Sequence, residues 1–417
     1  MDRIEVDSVD RIEGRWPRTL DTFAPMPIDV AQARALTPGC AHVVHFNNAG
    51  ASLMPVPVID AVKDFLDIEA RIGGYEAMAS EAHRWERAYD AIAELINCTR
   101  AEVALAENAS RAWEMAFHSV KLGPGDRVLA DRAAYISCWL AFLLVQQRTG
   151  CRVEVVPDDA HGQLDVEALR RMMDGRVKLV AVTHVPTSNG LVNPVEAVGA
   201  VVRGSDALYL VDACQSVGQL PVDVERIGCD MLSSTGRKYL RGPRGSGFLY
   251  VRRSVLHRLE PPFVEQRGAI WESRDTFRWR DDALRFETWE KSLANVAGLA
   301  AAVDHALHWG IEAIAARTVE LAARFRAQLA ELPGITVHDT GLHRSGIVTF
   351  TRAGTPARSI MAHLAAQGIN TVVSEAANAK LDLEARGIGP VVRASVHYYN
   401  TGAEVDQVVR AVAACPA

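Results

Sequence analysis

Short apolar segments alternate with helix-like segments from residue 103 to residue 251. This alternation is typical of a mostly parallel sheet with helices on both faces, because parallel neighbours need a crossover connection. The apolar segments are continuous, as expected of strands that are buried on both faces. We predict an α/β fold whose large domain contains a mostly parallel seven-stranded sheet. The predicted strands are 103–106, 127–130, 152–156, 177–184, 207–211, 229–233 and 246–251.

The alternation stops after residue 251, which predicts a change of domain. Residues 254–284 are rich in Arg and Trp and irregular, and Ala- and Leu-rich helices follow at about 290–332. The remaining pattern indicates a small α+β C-terminal domain. Its predicted strands are 335–338, 346–351, 370–374 and 391–397, and its predicted helices are 356–367 and 402–414. We therefore divide the chain into an N-terminal arm (1–40), a large domain (41–290) and a small domain (291–417).

Composition narrows the class of protein. The 417 residues are 49% hydrophobic and 23% charged, with a net charge of −6 and no basic cluster interleaved with aromatic residues, which disfavours nucleic acid as a partner. No apolar run approaches the roughly 18 residues of a membrane span, and the N-terminal residues lack the apolar core of a signal peptide. We expect a cytoplasmic protein that binds no membrane. Its seven cysteines lack CxxC spacing, which predicts reduced thiols and no metal site.

Two reactive side chains follow predicted strands, at the edge where open α/β sheets bind ligands. Asp212 ends the apolar segment 207–211, and Lys238 lies beyond the segment 229–233. A lysine amine can attach to an aldehyde, and a carboxylate can keep a proton on a pyridine nitrogen, so the pair suits pyridoxal 5′-phosphate. A strand-end Asp and a surface Lys also occur together without a cofactor, and the surrounding motifs must decide.

Four residues near these strand ends suit the phosphate of that cofactor. Thr235 and Arg237 lie beside Lys238, and their hydroxyl and guanidinium groups bind phosphate well. Ala109 and Ser110 stand at the start of a predicted helix, where free backbone N–H groups attract an anion. The segment 107–110 would serve equally as a simple helix cap.

Several motifs, taken in order and spacing, resemble the aminotransferase class V or cysteine-desulfurase-like group of fold-type I pyridoxal phosphate enzymes. The resemblance spans roughly residues 45 to 415. The motifs are ENAS (107–110), THVPTSNGLVNP (183–194), VDACQSVGQLPVDV (211–224), STGRK (234–238), GSGFLYV (245–251), RFETWE (285–290) and RASVHYYNT (393–401).

The resemblance implies a role for residues around the cofactor ring. Lys238 would carry the cofactor and act as the catalytic base, over Asp212. Thr187 and Gln215 would reach the ring oxygen. An aromatic ring would stack on the pyridine, and Tyr135 is the candidate. The competing ring is Trp139, and core packing is the alternative for both.

For the substrate, the resemblance implies an amino acid. Arg393 would bind its α-carboxylate, with a structural salt bridge as the alternative, and Asn48 would also contact it, unless it serves a turn. The resemblance further implies a homodimer with a shared active site. Arg285 and Trp289 are then candidates to lie near the neighbour's cofactor, unless they only pack.

The motifs FETWE, HVPTSNG and RASVHYYN resemble one branch of the group more closely. This branch contains ergothioneine-pathway C–S lyases, isopenicillin N epimerase-like proteins and lincosamide-pathway relatives. Cysteine desulfurases need a loop cysteine before the arginine strand, and residues 370–392 contain none. We therefore expect β-elimination from an S-substituted cysteine or its sulfoxide, giving pyruvate, ammonia and a sulfur-bearing product, in natural-product or low-molecular-weight thiol biosynthesis. The alternatives are decarboxylation-coupled oxidative deamination, epimerisation at Cα, and a catalytically silent cofactor-binding homologue.

Overall fold

The computed structural model of the protein describes residues 27–416, and the larger of its sheets has seven strands. Only Gly247–Val251 runs antiparallel to its neighbours, which confirms the mostly parallel sheet of an α/β fold. From one edge to the other, the strands are Val103–Ala106, Gly247–Val251, Met231–Thr235, Leu208–Asp212, Val177–Thr183, Arg127–Ala130 and Arg152–Val155.

Helices cover both faces of this sheet. Along the central strand Leu208–Asp212, Tyr209 and Val211 enter one hydrophobic core while Leu208 and Leu210 enter the other. Successive side chains of a strand point to opposite faces, so burial on both faces explains why this segment is apolar throughout. The helices of this part of the chain are Val56–Ile72, Gly74–Ser80, Ala82–Ile96, Ala109–His118, Ile136–Thr149, Val166–Met172, Val195–Val202 and Val224–Ile227.

One strand differs from its prediction in a way that affects the site. The segment predicted at 229–233 forms the strand Met231–Thr235 instead. Gly228 ends the preceding short helix with a φ of 69°, and Asp230 then accepts the backbone N–H of Tyr209 at 2.8 Å through its side chain. The strand therefore begins two residues later, and Thr235 becomes its last residue.

A second sheet of four antiparallel strands forms the C-terminal part of the molecule. In sheet order, its strands are Ile335–Val337, Ile347–Arg352, Val391–Ser395 and Val372–Ser374. The helices of this part are Ile311–Ala330, Ala357–Ala365, Lys380–Ala385 and Gly402–Ala413. The predicted α+β organisation matches these elements.

The chain crosses between the two parts more than once. Val44–His45 pairs with Ile369–Asn370 of the C-terminal part. Helix Leu293–Trp309 packs in the core of the large sheet, whereas helix Ile311–Ala330 begins in that core and ends in the C-terminal one. The division at residue 290 stays a prediction, and this packing leads us to propose a boundary near residue 310.

The N-terminal segment is described from residue 27 onward. Residues 1–26 of the predicted arm lie outside the described residues, while helix Val30–Ala35 is tied to the last helix by an Arg34–Glu404 ion pair of 2.8 Å.

The segment predicted as irregular contains an exposed antiparallel hairpin, Ala269–Ser273 with Thr276–Trp279. Short 3-10 helices occur at Pro38–Ala41, Arg100–Glu102, Arg253–Arg258, Ala283–Phe286 and Ala376–Ala379. No helix within residues 27–416 is long and apolar enough to cross a membrane.

Candidate active site

A cavity of about 300 Å³ lies at the carboxyl ends of the strands of the large sheet, where the C-terminal part covers it. All predicted site residues except Asn48 line it. They are Ala109, Ser110, Tyr135, Thr187, Asp212, Gln215, Thr235, Arg237, Lys238 and Arg393. The fold thus collects residues that are up to 284 positions apart in a single site.

Asp212 and Lys238 both line this cavity. Asp212 is the last residue of its strand, and its Oδ1 accepts the backbone N–H of Cys214 at 2.9 Å. Burial raises the pKa of the Asp212 carboxyl, while the positive charge of Lys238 opposes that rise. The Nζ of Lys238 lies 3.3 Å from the Sγ of Cys214. A base and a buried carboxyl group therefore share one cavity, close enough for the charge of Lys238 to act on Asp212.

The turn after Lys238 is fixed by Arg241, which the sequence analysis overlooked. Arg241 has a φ of 62° and is almost fully buried. Its guanidinium donates to the Leu53 carbonyl at 2.9 Å and to the Thr37 hydroxyl at 2.6 Å. These bonds to a distant part of the chain anchor the segment that presents Lys238.

The helix Ala109–His118 points its N-terminus at the cavity. Asn108 caps this helix, because its Oδ1 accepts the Arg111 N–H at 2.9 Å. Ala109 and Ser110, at the positive end of the helix dipole, line the cavity. The cap and the anion site, predicted as alternatives, are thus compatible, because Asn108 supplies the cap while the next two residues line the cavity.

Thr235 and Arg237 line the same cavity. The Thr235 hydroxyl donates to the Ser246 carbonyl at 3.2 Å, and the Arg237 guanidinium donates to the Gly50 carbonyl. Both residues line the cavity, and Arg237 remains half-buried. An anion-binding hydroxyl and a cation therefore lie in the same cavity as the helix N-terminus.

Arg393 reaches the cavity from the C-terminal sheet. Its Nη1 donates to the hydroxyl and carbonyl oxygens of Thr187 at 2.6 and 3.1 Å, and its Nη2 lies 3.4 Å from Oδ1 of Asn47. Its Nε has no hydrogen-bond partner, and no carboxylate of residues 27–416 pairs with it. Burial lowers the pKa of this guanidinium to about 10. The structural salt bridge is thus not formed, and Arg393 can receive a carboxylate from a ligand.

Thr187 and Gln215 form one polar group with Arg393. Gln215 Nε2 donates to the Thr187 hydroxyl at 3.1 Å and to the Ala49 carbonyl at 3.1 Å. The Oε1 of Gln215 is buried without a partner. The Thr187 hydroxyl accepts from both neighbours, so its predicted contact with the cofactor ring would have to use its remaining proton.

The structure distinguishes the two aromatic candidates. Tyr135 lies just before helix Ile136–Thr149, lines the cavity and is 38% exposed. Trp139 instead packs edge-on against Phe142, with ring centroids 5.3 Å apart, and does not line the cavity. Tyr135 is therefore the ring available for stacking.

Asn48 and Arg285 are placed differently from their predictions. Asn48 is fully buried, donates to the Ser395 carbonyl at 2.8 Å and accepts from the Tyr399 hydroxyl, so its side chain holds the fold together. Its neighbour Asn47 is the one that approaches Arg393. Arg285 is buried and donates to the carbonyls of Arg280 and Leu256, both at 2.8 Å. Local sequence does not indicate which of two adjacent asparagines turns inward.

One wall of the cavity contains none of the individually predicted site residues. Strand Val372–Ser374 and Asn378 line the cavity opposite the large sheet. The Ser374 hydroxyl lies 2.5 Å from that of Ser188 and joins the two parts of the molecule. The cysteines that line the cavity are Cys138, in helix Ile136–Thr149, and Cys214, just after strand Leu208–Asp212. The wall that comes from the C-terminal part contains no thiol.

The comparisons with known proteins place this site in a family. The family model described as aminotransferase class-V matches residues 44–408. The chain therefore belongs to the aminotransferase class-V family. It is 30% identical over 421 residues to a probable cysteine desulfurase of Xylella fastidiosa (strain 9a5c), covering 99% of this chain and 98% of that protein.

Solved structures agree with this assignment. The apo structure of the cysteine desulfurase of Thermococcus onnurineus NA1 is 26% identical, with a TM-score of 0.86 over 94% of this chain and 98% of that one. The cystine C–S lyase C-DES, solved with its product cysteine persulfide, has a TM-score of 0.82 at 22% identity, over 91% of this chain and 100% of that one, which supports the fold alone. The fold-type I prediction is confirmed.

Family membership also confirms pyridoxal 5′-phosphate as the cofactor. The cavity fits this group. A lysine and a buried carboxylate lie together, an anion can be bound at a helix N-terminus, and the buried Gln215 Oε1 and Arg393 Nε lack protein partners. No group of three or more His, Cys, Asp or Glu in the described part of the chain could hold a metal ion. The protein is therefore a pyridoxal phosphate-dependent enzyme.

Proposed function

We propose that this enzyme is a C–S lyase that cleaves the Cβ–S bond of an S-substituted cysteine, or of its sulfoxide, by β-elimination. The proposal rests on one observation above all. The cavity combines Lys238, Asp212 and an Arg393 that has no carboxylate partner among the described residues, while its C-terminal wall contains no thiol to accept sulfur. The names of the cysteine desulfurase relatives support chemistry at a C–S bond.

When bound, pyridoxal phosphate supplies an electron-accepting ring. Lys238 would hold the cofactor through its amine, and the same amine would remove the substrate Cα proton as a general base. Asp212 would favour a protonated ring nitrogen, since a nearby carboxylate stabilises the charged pyridinium. Tyr135, which lines the cavity, would stack on the face of the ring. These residues need no outside thiol, because the leaving sulfur departs as an anion and takes up a proton.

The remaining residues bind and orient. Ala109 and Ser110 at the helix N-terminus, with Thr235 and Arg237, bind the phosphate. Arg393 binds the substrate carboxylate and so directs the bond that is to break. The overall reaction consumes one water and yields pyruvate, ammonia and the thiol, or the sulfenic acid when the substrate is a sulfoxide. We place this reaction in the cytoplasm, in natural-product or low-molecular-weight thiol biosynthesis.

A second function has support from a specific contact. Cys214 lies 3.3 Å from the Lys238 amine, so its thiol is a candidate to accept sulfur from cysteine as a persulfide. The desulfurase names of the relatives fit this reading. Burial raises the pKa of the Cys214 thiol, which disfavours the nucleophilic thiolate, and we therefore rank desulfuration second.

The test is a product analysis of the holoenzyme. A panel of S-alkyl and S-aryl cysteines, their sulfoxides and free cysteine is incubated with the enzyme, and mass spectrometry identifies both fragments. We expect pyruvate, ammonia and the free sulfur-bearing fragment, in amounts unaffected by Cys214→Ala. Reduction with borohydride should attach the cofactor to the peptide that contains Lys238.

Other outcomes would contradict the proposal. A persulfide on Cys214, with activity lost in Cys214→Ala, would establish desulfuration. An inverted Cα with the nitrogen retained would establish epimerisation. Carbon dioxide released with the C–S bond intact would establish the decarboxylating reaction. A holoenzyme that turns over none of these compounds would support a silent homologue.

A further inference from the structure

A second buried carboxyl group, that of Asp131, lies on the other side of Thr183 from Asp212 and has no role in the proposed mechanism. Asp131 directly follows strand Arg127–Ala130, Thr183 ends strand Val177–Thr183, and Asp212 ends strand Leu208–Asp212. These strands are neighbours in the sheet, and Thr183 is the register partner of Asp212. The Oδ1 of Asp131 accepts the backbone N–H of Thr183 at 2.8 Å. One residue that lines the cavity therefore separates the two carboxyl groups.

The protein around Asp131 gives its carboxyl group too few hydrogen-bond donors to stabilise the negative charge fully. The residue is 3% exposed, and its Oδ2 has no hydrogen-bond partner in the described structure. Burial and, to a lesser extent, the negative charge of Asp212 raise the pKa of this carboxyl to about 7, against the opposing effect of the Thr183 N–H. A group with this pKa gains its charge as the pH rises through neutrality.

The groups packed around Asp131 do not neutralise it. Cys138 from helix Ile136–Thr149 and Tyr209 from strand Leu208–Asp212 interact with its charge, and burial keeps both in their uncharged forms by raising their pKa values. His184, the residue after Thr183, is also buried, which lowers its pKa to about 4 and leaves it neutral. No cation is among the groups that act on Asp131, so Asp212 is its charged neighbour.

We propose that Asp131 is a positioning residue that acts through Asp212, and that its charged form strengthens the hold of Asp212 on the protonated ring nitrogen of the cofactor. The reason is electrostatic. A second negative charge in a low-dielectric site disfavours Asp212 as a lone anion and favours a cation beside it. The inference rests on the proposed role of Asp212.

The test compares wild type with Asp131→Asn. The asparagine oxygen can still accept the Thr183 N–H, and the side chain has the same size but never carries a charge. At pH 8.5, we expect Asp131→Asn to bind pyridoxal phosphate roughly five- to ten-fold more weakly than wild type. At pH 5.5, where Asp131 is protonated, the two should bind it equally. The visible spectrum of the wild-type holoenzyme should change across neutrality, and that change should be absent from the variant.

Asp230→Asn is the matched control. The Asp230 carboxylate also accepts a backbone N–H of strand Leu208–Asp212, that of Tyr209, but at the end away from the cavity. Burial raises its pKa as well. This variant should keep the affinity and the spectra of wild type at every pH.

The outcomes separate this inference from the proposed function. If Asp131→Asn matches wild type at all pH values while Asp212→Ala alters the spectrum, the inference is wrong and the role of Asp212 stands. If Asp212→Ala leaves the spectrum and turnover unchanged, the proposed function itself fails. Should Asp131→Asn not fold, Asp131→Ser, which is smaller and can still meet the Thr183 N–H, is measured in the same way.

Discussion

At the scale of single residues, two buried arginines differ in their hydrogen-bond and ion-pair partners, and this difference separates a structural arginine from a ligand-binding one. Arg326 and Arg393 are 7% and 8% exposed. Arg326 pairs with Asp339 at 2.7 Å and donates to two carbonyls, so its charge is fully satisfied. Arg393 has only neutral partners and an unpartnered Nε. A buried cation without an anion is costly, and a ligand carboxylate would offset that cost.

We therefore predict that Arg393→Lys impairs substrate binding specifically. Lysine keeps the charge but loses the planar fork, and a lost charge-assisted hydrogen bond of roughly 1.5–3 kcal/mol corresponds to a reduction in kcat/KM of about 10- to 100-fold. KM should rise and kcat should also fall, because the substrate is misaligned. Arg326→Lys should lower the thermal stability but leave KM unchanged. An unchanged KM in Arg393→Lys would remove the carboxylate assignment.

At the scale of elements, helix Ala109–His118 connects local capping to cofactor binding. The Asn108 cap fixes the first turn, and that turn presents Ala109 and Ser110 to the cavity. A phosphate bound there would depend on how rigidly the helix end is held. Stability and cofactor affinity should then change together when this cap is removed.

Asn108→Ala tests this dependence. Loss of the cap should cost about 1 kcal/mol of stability and weaken pyridoxal phosphate binding several-fold. Ser292→Ala removes the cap of helix Leu293–Trp309, where the Ser292 hydroxyl accepts the Asn295 N–H at 3.3 Å. It should destabilise the protein to a similar extent without changing cofactor affinity, as measured by equilibrium titration. Equal cofactor affinity in both variants would argue against a phosphate at this helix.

At the scale of the whole molecule, the described surface carries large apolar side chains between residues 263 and 289. Phe263 is 57% exposed, Trp271 78%, Phe277 50% and Trp289 39%. Apolar surface of this kind is typical of an interface. With Arg285 buried in its own chain, Trp289 is the remaining candidate from RFETWE to approach a neighbour's cofactor.

We predict a homodimer with a shared active site. Light scattering should give twice the chain mass of 45.4 kDa, and Trp271→Arg should weaken association because it introduces a charge into the interface. Trp289→Ala should lower cofactor affinity more than Leu342→Ser, which changes a 65% exposed side chain elsewhere. A fully active monomer would refute the shared site.

The sequence by itself determined the class of fold and most members of the site. Strands buried on both faces must be apolar throughout, so the alternation with helices could be read directly. Asp212 and Lys238 could be located because strand ends meet at one edge of a parallel sheet. Local sequence also indicated four phosphate-binding residues, two at the start of a predicted helix and two beside Lys238. They are Ala109, Ser110, Thr235 and Arg237.

Only the tertiary structure decided how distant polar groups pair. Arg393 finds Thr187 and Asn47, 206 and 346 positions away, while Asn48 turns into the core. Asp131 and Asp212 lie on either side of Thr183, because the strand that ends in Thr183 separates their two strands in the sheet. Periodicity reports whether a position is buried, since burial on one face repeats along an element. It does not indicate which remote hydrogen-bonding group a buried polar side chain will contact, because that partner depends on the tertiary fold of the chain.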